Sequence, residues 1–173
     1  MEEQIQIVEL SENSIKKIAK EVYKLDKKER DKARKEFKNR SLHNTKKLLE
    51  NYHKLKEHTA GVREQIDESA EQSIWYNGYL TVDSLMKNRA KTVKMMGHVD
   101  NSLDKYQKIC NGENKKSKAR RCDILIDFYI NRISIDLIAD RYDVDRTTII
   151  RNKDDAIDDL SILLFGIDIF NEL

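Results

Sequence analysis

Apolar residues recur at intervals of three and four along most of the chain, which is the spacing of an amphipathic helix. The first such series consists of Ile15, Ile18, Val22 and Leu25. Asp26, followed three residues later by Glu29, is typical of a helix N-cap and its capping-box partner. We therefore predict that a second helix begins at Asp26 and runs to about His58.

Further helices are predicted by the same spacing in the middle of the chain. A third covers Val62 to Ile74, a fourth covers Val82 to Met96 and ends near Gly97, and a fifth covers Val99 to Ile109. None of these segments has the two-residue alternation of a strand. The pattern therefore predicts an all-α protein.

Composition agrees with long helices in water. The 173 residues include no proline and five glycines, and 37% of them are charged, which disfavours the turn-rich connections of a β-sandwich or barrel. The charge is unevenly distributed although the net charge is only +2. Residues 84–121 hold eleven Lys and Arg against three acidic residues, a balance of +8, whereas residues 122–173 hold five against twelve, a balance of −7. We interpret the chain as a basic stem followed by an acidic end.

Residues 112–118 are polar and basic and include Gly112, so they are the best candidate for a linker. This divides the chain into a helical N-terminal region, residues 1–111, and a C-terminal domain, residues 119–173. Two cysteines cannot form a disulfide framework, and the N-terminus lacks a basic start followed by an apolar run. No apolar run approaches the roughly 18 residues of a membrane span. We expect a cytoplasmic protein without a membrane partner.

The C-terminal domain has the pattern of a helix-turn-helix. Ser134 is a suitable cap for a helix over Ile135 to Tyr142, and Asp145 is a suitable cap for a helix beginning at Arg146. Two helices that meet across a short turn need a small residue where they cross and an apolar residue in the turn; Ala139 and Val144 fill these positions. An ordinary helical hairpin with no DNA ligand remains the alternative interpretation.

Polar residues at the start of the last helix suit a DNA major groove. Arginine pairs with guanine, asparagine with adenine, and threonine with bases or phosphates; the candidates are Arg146, Thr147, Thr148, Arg151 and Asn152. Basic residues just upstream are candidates for phosphate contacts, namely Lys115, Lys116, Arg120 and Arg121. A solvated linker would explain the second group equally well.

Three segments resemble the ArpU/RinA-type phage late-gene transcriptional regulators. They are RSLHNTKKLLENYHKLKEH (40–58), RAKTVKMMGHVD (89–100), and ISIDLIADRYDVDRTT (133–148) followed by AIDDLSILLFG (156–166). The resemblance implies a helix-turn-helix similar to region 4 of sigma factors. It also implies an activator in a bacterial host cell that binds double-stranded promoter DNA of late or lysis genes and engages bacterial RNA polymerase.

Other functions are less favoured. A phage DNA-packaging component similar to a small terminase subunit, which also joins a helix-turn-helix to an oligomerising helical region, is the alternative. A helical interaction protein that never binds DNA is a third. The common enzyme signatures are absent and the four histidines lack zinc spacing, so we expect no catalysis, metal or cofactor. Whether the N-terminal region contacts polymerase or a second copy of the chain stays open.

Overall fold

The computed structural model describes residues 11–61, 78–87, 89–112 and 116–166, with the backbone alone at 116 and 117. These residues form seven α-helices and no strand, which confirms the predicted all-α class. The helices are α1 Glu12–Glu50, α2 Tyr52–Thr59, α3 Val82–Lys87, α4 Arg89–Gly112, α5 Lys116–Tyr129, α6 Ile135–Tyr142 and α7 Arg146–Phe165. Within this part of the chain no helix has the length and apolar character needed to cross a bilayer.

Helix α1 is continuous through the point where a new helix was predicted. Ser11 caps its start, with the Ser14 backbone N–H donating to the Ser11 hydroxyl at 3.2 Å. Asp26 does not cap a helix, because its carboxylate pairs one turn further on with Arg30 at 2.7 Å. The predicted helix start at Asp26 is therefore wrong.

The second half of α1 enters the protein core. Leu48 and Leu49 are buried there, and the chain turns at Asn51 into α2, whose Leu55 is also buried. Asn44 is 3% exposed and satisfied in both directions: its amide donates to the Gly78 carbonyl at 3.0 Å, and its carbonyl accepts from the Leu80 N–H at 2.7 Å. This polar side chain therefore holds the segment before α3 against α1.

Helix α4 contains the second half of the predicted fourth helix, whose first half forms α3, together with the whole of the predicted fifth. Gly97 lies in its interior, so the helix end predicted there is wrong. Glycine in a helix costs only about 0.5–1 kcal/mol relative to alanine, and the adjoining turns offset this by burying Met95, Met96 and Val99 on one face. The helix predicted over Val62 to Ile74 lies outside the described residues.

The chain divides into two compact units, residues 1–37 and 38–173, and the predicted linker at 112–118 falls within the second. Helix α4 reaches Gly112 and α5 begins at Lys116. The side chains on either side of this connection share one core, in which Cys110 of α4, Cys122 of α5 and Leu160 of α7 are each at most 2% exposed. Burial between α4, α5 and α7 thus places the C-terminal helices in the same unit as α2 and α4.

Candidate nucleic-acid interface

A three-residue turn, Asp143 to Asp145, joins α6 to α7. Asp143 takes a left-handed conformation, φ 51° and ψ 53°, and its N–H reaches the carbonyls of Ala139 and Asp140. Aspartate tolerates this conformation better than most residues, which explains how the turn forms without glycine. The Val144 N–H donates to the Ala139 carbonyl at 3.2 Å, so the turn also closes the end of α6.

The ends of both helices lie where the sequence predicts them. The Ser134 hydroxyl accepts from the Leu137 N–H at 3.4 Å, and α6 begins at the next residue. Asp145 occupies the N-cap position of α7 in an extended conformation, φ −61° and ψ 145°, although its side chain makes no capping hydrogen bond. The predicted helix bounds Ile135–Tyr142 and the start at Arg146 are confirmed.

A small separate core holds the two helices against α5. Ile124, Ile138 and Ile149 come from α5, α6 and α7 respectively, and each is fully buried. Ala139 is 8% exposed beside them, and Val144 packs against the same cluster from the turn. The hairpin is therefore fixed by one isoleucine from each helix, with a small residue on α6 and an apolar residue in the turn.

Asp127 connects the end of α5 to α6. Its carboxylate accepts hydrogen bonds from the amide of Asn131, at 2.9 Å, and from the guanidinium of Arg141. Its backbone carbonyl accepts from the Ile133 N–H at 2.8 Å. Arg132 lies exposed inside this loop with a positive φ of 56°. Sequence reasoning missed both Asp127 and Arg132; the spacing of Asp127 and Asn131 by four was the only local signal.

Four of the predicted base-reading residues lie at the start of α7. Thr147 and Arg151 are exposed and one turn apart, and Thr148 is half-buried beside them. Arg146, whose side chain is 62% exposed, directs its guanidinium to Asp136 of α6 at 3.0 Å. These side chains form an exposed polar edge, which we call the α7 edge: Arg146, Thr147, Thr148 and Arg151.

Asn152 lies one turn after Thr148, on the side of α7 that faces the protein interior. It is 7% exposed, and its amide donates to the Thr148 carbonyl at 2.7 Å. Its position follows from helix periodicity, because Ile149 and Ala156, three residues before and four after, are both fully buried. Asn152 therefore does not belong to the α7 edge, although its residue type suits adenine.

The four basic residues predicted to contact phosphates have different surroundings. Lys115 lies outside the described residues, and only the backbone of Lys116 is described. Arg120 is half-buried, and its Nε is shielded from solvent and has no hydrogen-bond partner among the described residues. Arg121 pairs with Asp155 at 2.8 Å and approaches Asp159 at 4.0 Å. Two carboxylates of α7 thus already compensate the charge of Arg121.

The charge of α7 reverses along its length. Arg146 and Arg151 occupy its first turns, whereas Asp154, Asp155, Asp158 and Asp159 follow in the next two. Part of this acidic surface is satisfied internally, since the Tyr106 hydroxyl donates to Asp159 at 3.1 Å. Burial, followed by the Asp159 charge, raises the pKa of Tyr106 well above its usual range. Only the first turns of α7 can therefore approach a polyanion without repulsion.

No group of three or more His, Cys, Asp or Glu side chains within the described ranges could hold a metal ion. His43, His53 and His98 instead lie within 3.4 Å of backbone carbonyl oxygens. Comparison of the sequence and structure with protein-family models, curated proteins and solved structures finds no match.

Proposed function

We propose that this protein is a sequence-specific DNA-binding regulator of transcription whose α7 edge reads the major groove. The observation that carries the proposal is that Thr147 and Arg151 are exposed side by side at the start of a helix. The first residues of a recognition helix are those that contact base edges in a helix-turn-helix complex. The three-residue turn and the fully buried isoleucine core support this role, because they fix the start of α7 relative to α6.

The chemistry of the edge suits base reading. Arginine forms paired hydrogen bonds with guanine, and a threonine offers a hydroxyl and a methyl group that contact different base edges. Among the described residues no acidic side chain pairs with Arg151, so its guanidinium is available to a ligand. Asn152 is not part of this proposal, because its amide is buried against α7 itself.

Charge limits how the helix enters the groove. Arg146 and Arg151 are attracted to phosphates, whereas Asp154, which is exposed one turn later, is repelled by them. We infer that about the first two turns of α7 approach the DNA. Arg132, which is exposed just before α6, is a further candidate for phosphate contact beside Lys115, Lys116 and Arg120. Arg121 is not a candidate, because it pairs with Asp155.

The biological role rests on the resemblance to the ArpU/RinA-type regulators. On that basis the DNA is a promoter of phage late or lysis genes, the protein acts as region 4 of a sigma factor does, and bacterial RNA polymerase is its partner. Footprinting on the DNA that flanks the protein's own gene, with and without polymerase, tests this role. A footprint that polymerase neither extends nor strengthens would count against it.

Binding by matched variants tests the DNA interface itself. Arg151→Ala is expected to weaken binding to the footprinted site by about 1–3 kcal/mol, since a lost base contact costs that much. Lys46→Ala removes one positive charge from an exposed position of α1 and serves as the control. Fluorescence anisotropy on specific and scrambled duplexes separates the loss of a base contact from the loss of a positive charge. Equal losses for both variants on both duplexes would remove the α7 edge from the proposal.

Thr147→Val provides a second test of base reading. The substitution replaces a hydroxyl by a methyl group and preserves the shape of an exposed side chain. If the Thr147 hydroxyl contacts a base, the preference for the specific over the scrambled duplex falls by about threefold to tenfold while non-specific binding is unchanged. An unaltered preference would leave Arg146, Thr148 and Arg151 as the candidates for base reading.

The packaging alternative is retained because α1 carries exposed apolar residues, a feature that an oligomerising region requires. Its DNA interface would use the same α7 edge. The two functions differ in assembly: a packaging subunit of the small-terminase type forms rings, whereas a sigma-like regulator binds polymerase. The mass of the protein in solution therefore separates them, as does recovery of a promoter complex with polymerase.

A further inference from the structure

The first unit of the chain carries a row of apolar side chains on α1 that the described residues leave exposed. Ile15, Ile18, Val22 and Leu25 are between 51% and 61% exposed. No described residue between 12 and 33 is buried. A helix in water derives most of its stability from packing of its apolar face, so this row, which we call the α1 stripe, is a surface that another molecule would cover.

The spacing of the α1 stripe is that of a coiled coil. The four residues are separated by three, four and three positions, which places Ile15 and Val22 at heptad position a and Ile18 and Leu25 at position d. β-Branched residues at a together with leucine at d favour two parallel strands. Within these two heptads the pattern suits pairing with a similar helix, and it ends where Glu29 and Lys32 occupy the next a and d positions.

The residues beside the stripe favour a protein helix over a lipid surface. The flanking e and g positions hold Ser14, Ala19, Glu21, Asp26 and Lys28, of which only Lys28 is basic. The other lysines lie on the far side, at positions b, c and f: Lys16, Lys17, Lys20, Lys24 and Lys27. A helix on an anionic membrane places Lys and Arg at the edges of its apolar face, where they reach the headgroups. Here Lys28, at the C-terminal end of the stripe, is the one lysine at those edges.

The acidic flanks are compensated within the helix itself. Glu21 pairs with Lys24 at 2.7 Å, and Asp26 pairs with Arg30 at 2.7 Å. A second copy therefore meets ion pairs rather than bare carboxylates beside the stripe. In parallel copies Glu21 of one chain still repels Asp26 of the other, but this repulsion costs little free energy because both side chains are exposed to solvent.

We propose that a second copy of this chain packs along the α1 stripe to form a parallel, two-stranded coiled coil. Four half-exposed aliphatic side chains form a patch of roughly 300 Å² on each copy. A pair of such patches buries less than the ~1,200 Å² of a standard stable interface. The dimer is accordingly weak and reversible.

Sedimentation equilibrium of the full chain over a range of concentrations tests the proposal without DNA. The apparent mass is expected to rise from 20.4 kDa towards twice that value. Val22→Asp places a charge in the stripe and keeps the protein at the mass of one chain. Tyr23→Asp is the matched control: Tyr23 is 61% exposed on the same turn but at heptad position b, so this variant still self-associates.

Three results overturn the proposal. The first is a wild-type mass of one chain at every concentration, and the second is equal self-association of the Val22→Asp and Tyr23→Asp variants. The third is a larger assembly such as a ring. The stripe is assigned to a membrane instead if the protein stays monomeric and binds vesicles containing phosphatidylglycerol, and if Val22→Asp abolishes that binding. None of these results depends on whether the α7 edge binds DNA.

Glu21→Lys tests the parallel arrangement. In parallel strands position g of one helix faces the following position e of the other. The ammonium group introduced by Glu21→Lys then opposes Asp26 of the second copy, and the dimer tightens by about twofold. In antiparallel strands the two introduced ammonium groups face each other. Weaker self-association of Glu21→Lys, with unchanged helix content by circular dichroism, overturns the parallel pairing.

Discussion

Asp136 and Arg146 form an ion pair across the α6–α7 turn, with the guanidinium Nη1 3.0 Å from Oδ1 and 3.3 Å from Oδ2 of the carboxylate. Both side chains are more than 60% exposed. The pair therefore contributes little to folding, since exposed ion pairs are worth about 0–1 kcal/mol. In the proposed DNA complex, Arg146 would have to share its guanidinium between Asp136 and a phosphate or base.

Removal of the Asp136 charge is expected to strengthen DNA binding. Asp136→Asn releases Arg146 and removes one negative charge from the proposed interface, so affinity rises by about twofold to fivefold. The gain is expected on specific and scrambled duplexes alike, and the dependence of affinity on salt steepens by about one ion. Anisotropy titrations at several salt concentrations measure both quantities.

The matched control is Asp104→Asn, an exposed acidic residue on α4. It changes the net charge equally but lies outside the proposed interface. If Asp104→Asn strengthens binding as much as Asp136→Asn does, the gain comes from net charge and the ion pair has no special role.

Asp127 is expected to stabilise the hairpin. Its side chain is 13% exposed and accepts from Asn131 and Arg141. Asp127→Ala leaves both donors without their partner, although Arg141 remains half-exposed and can be hydrated. We expect a loss of about 1–2 kcal/mol in the free energy of unfolding, measured by urea denaturation. Asp104→Ala serves as the surface control, and equal losses in the two variants would contradict this role.

The hairpin was predictable from sequence because its determinants are local. Ser134 and Asp145 are suitable caps, and each stands directly before a helix whose start it predicts. Asp143 is one of the few residues other than glycine that accept a left-handed turn. All three signals lie within a dozen residues of one another, so no knowledge of distant packing is needed.

The rest of the fold depends on contacts between distant residues. Judged by helix propensity alone, Gly97 would end a helix. The buried side chains around it nevertheless continue α4 for another four turns. Asn152 was assigned to DNA because its residue type suits adenine, although it lies three residues after Ile149 and four before Ala156, on the buried side of α7. Arg121 was assigned to phosphates because its partner Asp155 lies 34 residues away and the pairing has no local signature.

Arg121 is expected to act in folding and not in DNA binding. Arg121→Ala leaves Asp155 and Asp159, which are spaced by four and both about 40% exposed, without their cation. The free energy of unfolding is expected to fall by about 1 kcal/mol through like-charge repulsion and lost packing. The slope of DNA affinity against salt stays that of the wild type. A flatter slope with unchanged stability would instead assign Arg121 to a phosphate.

Cys122 is expected to be chemically inert in the folded protein. It is 2% exposed, and burial together with the neighbouring Cys110 thiol raises its pKa to about 12. The thiolate is the reactive form of cysteine, so iodoacetamide at neutral pH is expected to modify Cys122 only after denaturation. Mass spectrometry of the native and urea-treated protein measures this difference. Equal modification rates in the two states would show that the α4–α5 core opens readily.

Alkaline pH is expected to destabilise the fold through the buried Tyr129 and the half-buried Tyr52. Burial raises the pKa of Tyr129 to about 12, and burial with a 2.7 Å hydrogen bond to Asp100 raises the pKa of Tyr52 to about 12. The unfolded chain releases these protons near pH 10. Their stabilising contribution is therefore complete below about pH 10 and is lost as the pH rises towards 12. Urea midpoints measured across this range should fall more steeply for the wild type than for Tyr52→Phe combined with Tyr129→Phe. Tyr23→Phe, at an exposed position, is expected to behave as the wild type, and parallel pH profiles for all three proteins would refute the linkage.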